Sequence, residues 1–265
     1  MKRTGPEGTL CDKKGLSSTL APVSFEPLTS FVDCKVGGLG GCVKPVGRSG
    51  PNVLAFLVEP LLRSMNRLLS LSVPLLLASQ SPRRRALLEK IGVGFSVQAS
   101  PADETLDEPL APRQMARALA TKKAKPVAAT HTTALILAAD TVVIHENDVL
   151  EKPTSSDHAR RMLRRLSDSS HTVYTGMALH HDDSDRAIVT GRATEVSFAP
   201  LTDEEIRTYV DSESPLDKAG GYGIQDHTGP LFVENLNGDY YNVVGLPLRH
   251  LYVTLQTDFP DLLTT

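Results

Sequence analysis

The sequence predicts an α/β domain over residues 71–265, preceded by an irregular N-terminal stretch. Three observations lead there. The aliphatic run Leu75-Leu76-Leu77-Ala78 breaks into Ser79-Gln80-Ser81-Pro82 and then an Arg-rich, Leu-bearing segment, which reads as a buried strand entering a helix. A second apolar run, Ala134 to Ile144, reads as a central strand buried on both faces. Elsewhere, apolar residues recur at the i, i+3, i+4, i+7 spacing of helices packed on such a sheet.

Residues 1–70 carry scattered Gly and Pro, as in Gly37-Gly38-Leu39-Gly40-Gly41, and sustain no period of 2 or 3.6. They read as a largely disordered extension with one short helix between Val53 and Leu69. Met65, just ahead of the first patterned strand, is a candidate translation start, which mass spectrometry of the native N-terminus would settle. Cys11, Cys34 and Cys42 match no zinc spacing, and an odd count opposes a disulfide framework, so a reducing, cytoplasmic setting is expected. Glu59, Arg63 and Arg67 interrupt the only long apolar tract, so no membrane span is expected. Lys2 and Arg3 are followed by Glu7 and Asp12, a poor targeting signal. A net charge of -3 and the lack of Trp argue against nucleic-acid binding; the basic clusters Arg83 to Arg85 and Arg160 to Arg165 are flanked by acids.

Within the domain, Ser81 suits a helix N-cap and Pro82 the first helical position, with Leu87, Leu88 and Ile91 on one face and Gly92 placed to end the helix. Phe95–Ala99 alternates as a strand, the acidic Asp103-Glu104 follows, and Pro112 to Ala129 reads as a helix. Asn147-Asp148 offers a hairpin turn after the central strand. Ser155 or Ser156 caps an amphipathic helix carrying Ala159, Met162, Leu163 and Leu166. Two strands, His171–His180 and Ala187–Ala199, flank the turn Asp182-Asp183-Ser184-Asp185. Thr202-Asp203-Glu204-Glu205 is a capping box opening the next helix. A glycine-rich tract, Lys218 to Gln225, precedes the strand Leu231-Phe232-Val233, and a closing helix follows Pro247.

A strand running into a helix start presents free N–H groups and the positive end of a dipole, an anion site. Arg83 and Arg84 in that first turn are cations where the dipole favours acids, so helix stability does not ask for them, whereas a bound polyanion would. Asp140 is an ionisable group in an otherwise aliphatic strand, which requires an open strand end or costly desolvation. Beside Thr141, and with Lys152 returning from a hairpin, it reads as functional rather than as a loop cap. Glu104 could hold a hard Mg²⁺ or Mn²⁺ ion jointly with Asp140; taken alone, Asp103-Glu104 is an ordinary solvated turn. Lys123 and Lys152 gain interest only as positive charge around the same polyanion. The set fits a nucleotide polyphosphate with a divalent ion and specifies neither the bond cleaved nor the base.

Leu77-Ala78-Ser79-Gln80-Ser81-Pro82-Arg83-Arg84, Ala139-Asp140-Thr141, Leu150-Glu151-Lys152-Pro153, Lys218-Ala219-Gly220-Gly221-Tyr222-Gly223-Ile224-Gln225 and Asn242-Val243-Val244-Gly245-Leu246-Pro247 occur in the order of the Maf family, which this sequence resembles over residues 73–256. The resemblance implies a two-lobed, inosine-triphosphatase-like fold with a long mixed sheet and a nucleotide cleft. It implies a nucleoside triphosphate pyrophosphatase that releases a monophosphate and pyrophosphate. On that carry-over Asp140 is the general base, assisted by Lys152, with Ser79, Arg83, Arg84, Lys123 and Lys152 on phosphates and Glu104 helping Asp140 hold the cation. Arg83, Thr141 and Gln225 resemble the selectivity set of the dTTP/UTP branch rather than the Trp, Gln and Glu of the 7-methyl-GTP branch. The Gln225 amide can both donate to and accept from a pyrimidine edge, which Glu cannot. Asp226-His227-Thr228-Gly229 departs from the shorter Gly-initiated turn usual in the family, which bears on the base pocket. A homodimer is a family-level expectation. The alternative is a nucleotide-binding regulator of cell division with little or no hydrolysis.

Overall fold

A computed structural model describes residues 68–264, apart from Asp107. All but the end of the 1–70 stretch, including Met65 and most of the helix expected between Val53 and Leu69, lies outside the described residues. Leu69 already belongs to the core, and Leu71 bridges to Leu263 near the other end of the described chain.

Among the described residues seven strands form one mixed sheet, ordered β2-β1-β3-β5-β6-β7 with β4 also on β3. They are β1 (Leu75–Leu77), β2 (Ser96–Val97), β3 (Leu135–His145), β4 (Asp148–Leu150), β5 (Ser170–His181), β6 (Arg186–Phe198) and β7 (Val233–Asn237). The helices are α1 (Pro82–Lys90), α2 (Pro112–Ala128), α3 (Ser156–Leu166), α4 (Asp203–Glu213), α5 (Tyr240–Val244) and α6 (Leu248–Asp258). β1 runs parallel to β2 and β3, whereas the β3–β5, β5–β6 and β6–β7 pairs are antiparallel.

The alternation of β3 separates the two faces of the sheet. Leu135, Leu137, Ala139 and Val143 point into the larger core with Leu88 of α1, Leu163 of α3, Ile206 of α4 and Leu251 of α6. Ile136 and Ala138 point the other way, onto Ala120, Ala124 and Val127 of α2. That second seam is built of small residues, so helix and sheet approach closely. At Gly176 the approach leaves no room for a side chain: a Cβ would lie 2.6 Å from the Ala116 carbonyl.

The caps are those the sequence implies. Ser81, Ser155 and Thr202 each accept from a backbone N–H in the first turn, and Thr202 completes a capping box with Glu205. Three expectations need correction. The Phe95–Ala99 strand shrinks to Ser96–Val97, because its only partner is the three-residue β1. The hairpin turn is Glu146-Asn147, both at positive φ, because His145 pairs with Asp148 one residue earlier than expected. Gly229–Phe232 is a 3₁₀ turn with Pro230 near its start, so the following strand begins only at Val233. The sequence also gave no sign of α5, whose five residues are too few for a helical period.

Candidate active site

β3 is paired unequally along its two edges. On one, Ile136 to Ile144 pair without a break with β5. On the other, β1 ends with Leu77 opposite Leu137, and β4 pairs only from Val143 onward. The segment 138–142 therefore has no strand beside it on that edge, and a cleft of about 910 Å³ opens there. This is the open position in an α/β sheet where ligands are accommodated. Its walls include Ser79, Arg83, Arg84, Glu104, Lys123, Asp140, Thr141, Lys152 and Gln225, so every expected site residue lines one cavity.

Asp140 and Thr141 are consecutive on β3 and so face opposite sides of the sheet. Asp140 turns towards α2, where Lys123 Nζ lies 2.6 Å from its Oδ1. The same ammonium lies 3.1 Å from Glu104 Oε2, so one lysine joins the two carboxylates. Lys123 and Asp140 are largely shielded, at 12% and 14% side-chain exposure, whereas Glu104 is at 61%. Two oxygen-donor side chains converging on one point suit a hard divalent ion that also takes substrate oxygens and water. Among the described residues no group of three or more His, Cys, Asp or Glu side chains is placed to hold a metal ion.

Thr141 turns towards α1. Its Oγ1 is 2.9 Å from Thr175 Oγ1 and accepts from Arg84 Nη2 at 3.2 Å. Arg84 also donates from Nη1 to Ser79 Oγ at 3.2 Å and from Nε to the Gly245 carbonyl at 2.9 Å. One guanidinium thus braces the β1–α1 junction, β3 and the turn after α5, leaving the remaining N–H groups of its fork for a ligand. Burial lowers the pKa of Arg84, and Asp140 works against that lowering; an arginine stays charged throughout. Ser81 N donates to Ser79 Oγ at 3.2 Å, which fixes the turn between strand and helix.

Arg83 projects to the cleft's other wall. Its Nη1 lies 2.6 Å from Asp217 Oδ2, and Nη2 donates to the Asp217 carbonyl at 3.3 Å. Burial opposes ionisation of Asp217, but hydrogen bonds from Lys218 and Arg83 hold its carboxyl below the ordinary value. Gln225 is exposed on the rim. Lys152 is likewise exposed and makes no ion pair or hydrogen bond with the described residues. Gly220 and Gly221, both at φ of 73°, bend the tract between Lys218 and Gln225 over β3, and Gly220 N donates to the Glu151 carbonyl.

Sequence reasoning missed the supports. Asp217 clasps Arg83, Thr175 anchors Thr141, and Thr175 donates to the carbonyl of the buried Asn242 at 2.9 Å. Asp217 stands next to the glycine-rich tract and could have been suspected from that. Thr175 lies inside an ordinary strand pattern and carries no such signal.

Comparison with known proteins identifies the family. The family model described as Maf-like protein matches residues 74–257. The dTTP/UTP pyrophosphatase of Salinibacter ruber is 63% identical over 199 residues, covering 75% of this chain and 98% of that protein. The dTTP/UTP pyrophosphatase of Halalkalibacterium halodurans is 51% identical over 175 residues, covering 66% and 90%. That of Bacillus cereus strain G9842 is 45% identical over 177 residues, covering 67% and 91%. Among solved structures, a HAM1 protein from Coxiella burnetii covers 69% of this chain and 98% of its own at 17% identity, with a TM-score of 0.39, too slight a likeness to bear argument. The family match reaches from the first strand into the last helix and takes in the motifs gathered around the split in β3: the chain belongs to the Maf family.

Proposed function

We propose that this chain hydrolyses dTTP and UTP, and modified pyrimidine nucleotides of the same shape, to the monophosphate and pyrophosphate. The observation that carries the reading is the unpaired edge of β3 at residues 138–142, which exposes Asp140 on one face and the Arg84-braced Thr141 on the other within one cleft. The names of the 63% and 51% identical relatives support the choice of nucleotide.

In this reading the triphosphate lies against the amino end of α1. Ser79 offers its hydroxyl to the phosphates, and Arg83, Arg84, Lys123 and Lys152 offset their charge. Asp140 orients a water and takes its proton as the oxygen attacks phosphorus; the bond between the α- and β-phosphates breaks, and pyrophosphate leaves with the bridging oxygen. Lys152, exposed on the rim, steadies the departing charge. Asp140 and Glu104 are the residues that would hold Mg²⁺ or Mn²⁺, which when bound neutralises phosphate charge. Gln225 meets the base edge. A cytoplasmic homodimer completes the reading, and light scattering of the purified chain tests the dimer.

The experiment is pyrophosphate release from a nucleotide panel with Mg²⁺ or Mn²⁺. Release from dTTP and UTP is expected; binding without release would favour the regulator instead. Asp140→Asn should cut turnover by roughly 10²- to 10⁴-fold, as loss of a general base does, while nucleotide affinity stays within about a few-fold. Near-wild-type turnover in that variant would eliminate Asp140 as the base.

A further inference from the structure

Lys123 stands where a cation shared by Asp140 and Glu104 would stand. Its Nζ lies 2.6 Å from Asp140 Oδ1 and 3.1 Å from Glu104 Oε2, with 12% of the side chain exposed. Neither acid depends on that ammonium for its place. Asp140 is carried by β3 within the ladder to β5. Glu104 sits in a turn closed by its neighbours: the Thr105 amide donates to Asp103 Oδ1 at 3.1 Å, and the Thr105 hydroxyl to Asp103 Oδ2 at 2.6 Å. Lys122 Nζ donates to the Thr105 carbonyl at 2.6 Å and so ties the turn to α2. The backbone under both acids therefore stays in place when the flexible Lys123 stem carries its charge elsewhere.

From this we infer that Lys123 is an exchangeable counter-ion: it keeps free divalent cations off the Asp140–Glu104 pair and releases the pair only when a polyphosphate offers its ammonium anionic oxygens instead. The inference rests on the proposed chemistry of the cleft, with Asp140 and Glu104 as the metal-holding acids. An ammonium and a divalent ion cannot both sit against the same two carboxylates, because like charges repel strongly in a shielded site. With Lys123 in place the pair is already partly neutralised, and a divalent ion must displace a bound charge to enter. Once phosphate oxygens hold Lys123, the two acids are left uncompensated, which suits a divalent ion together with the substrate oxygens and water it retains. Nucleotide and cation then favour each other's binding, and by linkage the effect is mutual.

Mn²⁺ alone, without nucleotide, is titrated calorimetrically into the full chain. Lys123→Met should bind it about tenfold or more tightly than wild type, because the competing charge is gone. Lys123→Gln still offers the acids a neutral donor and should show the same gain; it serves if the methionine variant, with Asp140 shielded and unpaired, does not fold. Lys125→Met removes an equal charge from an exposed position two residues along α2 and should leave the affinity at the wild-type value, which separates local exchange from a general loss of charge. Adding Asp140→Asn to Lys123→Gln should abolish the gain. Unchanged or weaker Mn²⁺ binding in the folded Lys123 variant overturns the inference. So does an equal gain in Lys125→Met, or a gain that survives Asp140→Asn. Wild type that binds Mn²⁺ as tightly without α,β-imido-UTP as with it overturns the inference without any variant having to fold. Tightened, Asp140-dependent binding with no pyrophosphate release from any nucleotide would refute the pyrophosphatase reading and leave the exchange standing; metal-dependent release from wild type with an unmoved Mn²⁺ affinity in the Lys123 variants would do the reverse.

Discussion

Gly176→Ala tests whether the close seating of α2 on the sheet sets the site. Gly176 pairs directly with Asp140 across β3 and β5, on the face covered by α2. An added methyl would lie 2.6 Å from the carbonyl carbon and oxygen of Ala116 and 2.7 Å from the Arg117 nitrogen. Ordinary contact starts at 3.4 Å, so the backbone of α2 must retreat by about 0.8 Å, the shortfall between 2.6 and 3.4 Å. Overpacking of this kind costs about 2 kcal/mol. In a domain of this size that is a melting-point drop of roughly 4–8 °C. Lys123 rides on the same helix, so its 2.6 Å pair with Asp140 is stretched by the same movement. A displacement near 1 Å can cost about a hundredfold in rate, and because the lysine stem can follow part of the way, a roughly tenfold loss of kcat is expected. Calorimetry and pyrophosphate release on one preparation measure both. Gly94→Ala is the control, since a Cβ there meets nothing within 4 Å. A Gly176→Ala protein that melts and turns over like wild type would show that α2 does not set the position of Lys123.

The remaining predictions follow the same geometry. Arg84→Lys keeps the charge but cannot reach Ser79, Thr141 and Gly245 together. Loss of a charged hydrogen bond at about 1.5–3 kcal/mol should lower kcat/KM by roughly 10- to 100-fold, and undiminished dTTP hydrolysis would remove the bracing role. Gln225→Glu places a carboxylate against the Asp226 carboxylate and removes a donor, so the preference for dTTP and UTP over other triphosphates should weaken; an unaltered panel would take Gln225 out of the selectivity set. His171 is buried beside Tyr222, and desolvation, with a smaller contribution from His145, pushes its pKa down to about 3. Its folded value lies below the unfolded one, so the stability held by keeping it neutral is complete above about pH 6.5 and is lost as pH falls towards 3. At about pH 5 the loss should be about 2 kcal/mol, and a His171→Gln protein should show a flatter dependence of melting temperature on pH between about 6.5 and 4.5.

Much of the fold could be read directly because its signals are local. The Ser81-Pro82 start, the capping box at Thr202 and the apolar run of β3 each carry their own physical reason, and the structure places each where expected. Part of what escaped depends on partners distant in sequence, and part on a local turn. β2 is short because β1 is short, and Val233 starts a strand late because Pro230 shapes the turn before it. The candidate site divides in the same way. Asp140 was conspicuous as a charge in an aliphatic strand. Asp217, Thr175 and Tyr209 act by meeting residues 34 to 134 positions away or by bridging a turn, and no spacing in the sequence reveals such meetings. Arg84, singled out from the sequence as a cation at the helix start, binds protein as well as facing the cleft.

The asymmetry of β3 separates two things this protein could change independently over evolution. The strand bearing Asp140 is held along one edge by an uninterrupted ladder from Ile136 to Ile144, so the carboxylate proposed as the base is carried by a rigid beam. Gln225 and Asp226 ride instead on the turn after the glycine-rich tract, outside that ladder. Insertions or exchanges in the turn can therefore reshape the Gln225 side of the cleft without moving the carboxylate, whereas a one-residue slip in the beam would send Asp140 to the wrong side of the sheet, away from Lys123 and Glu104.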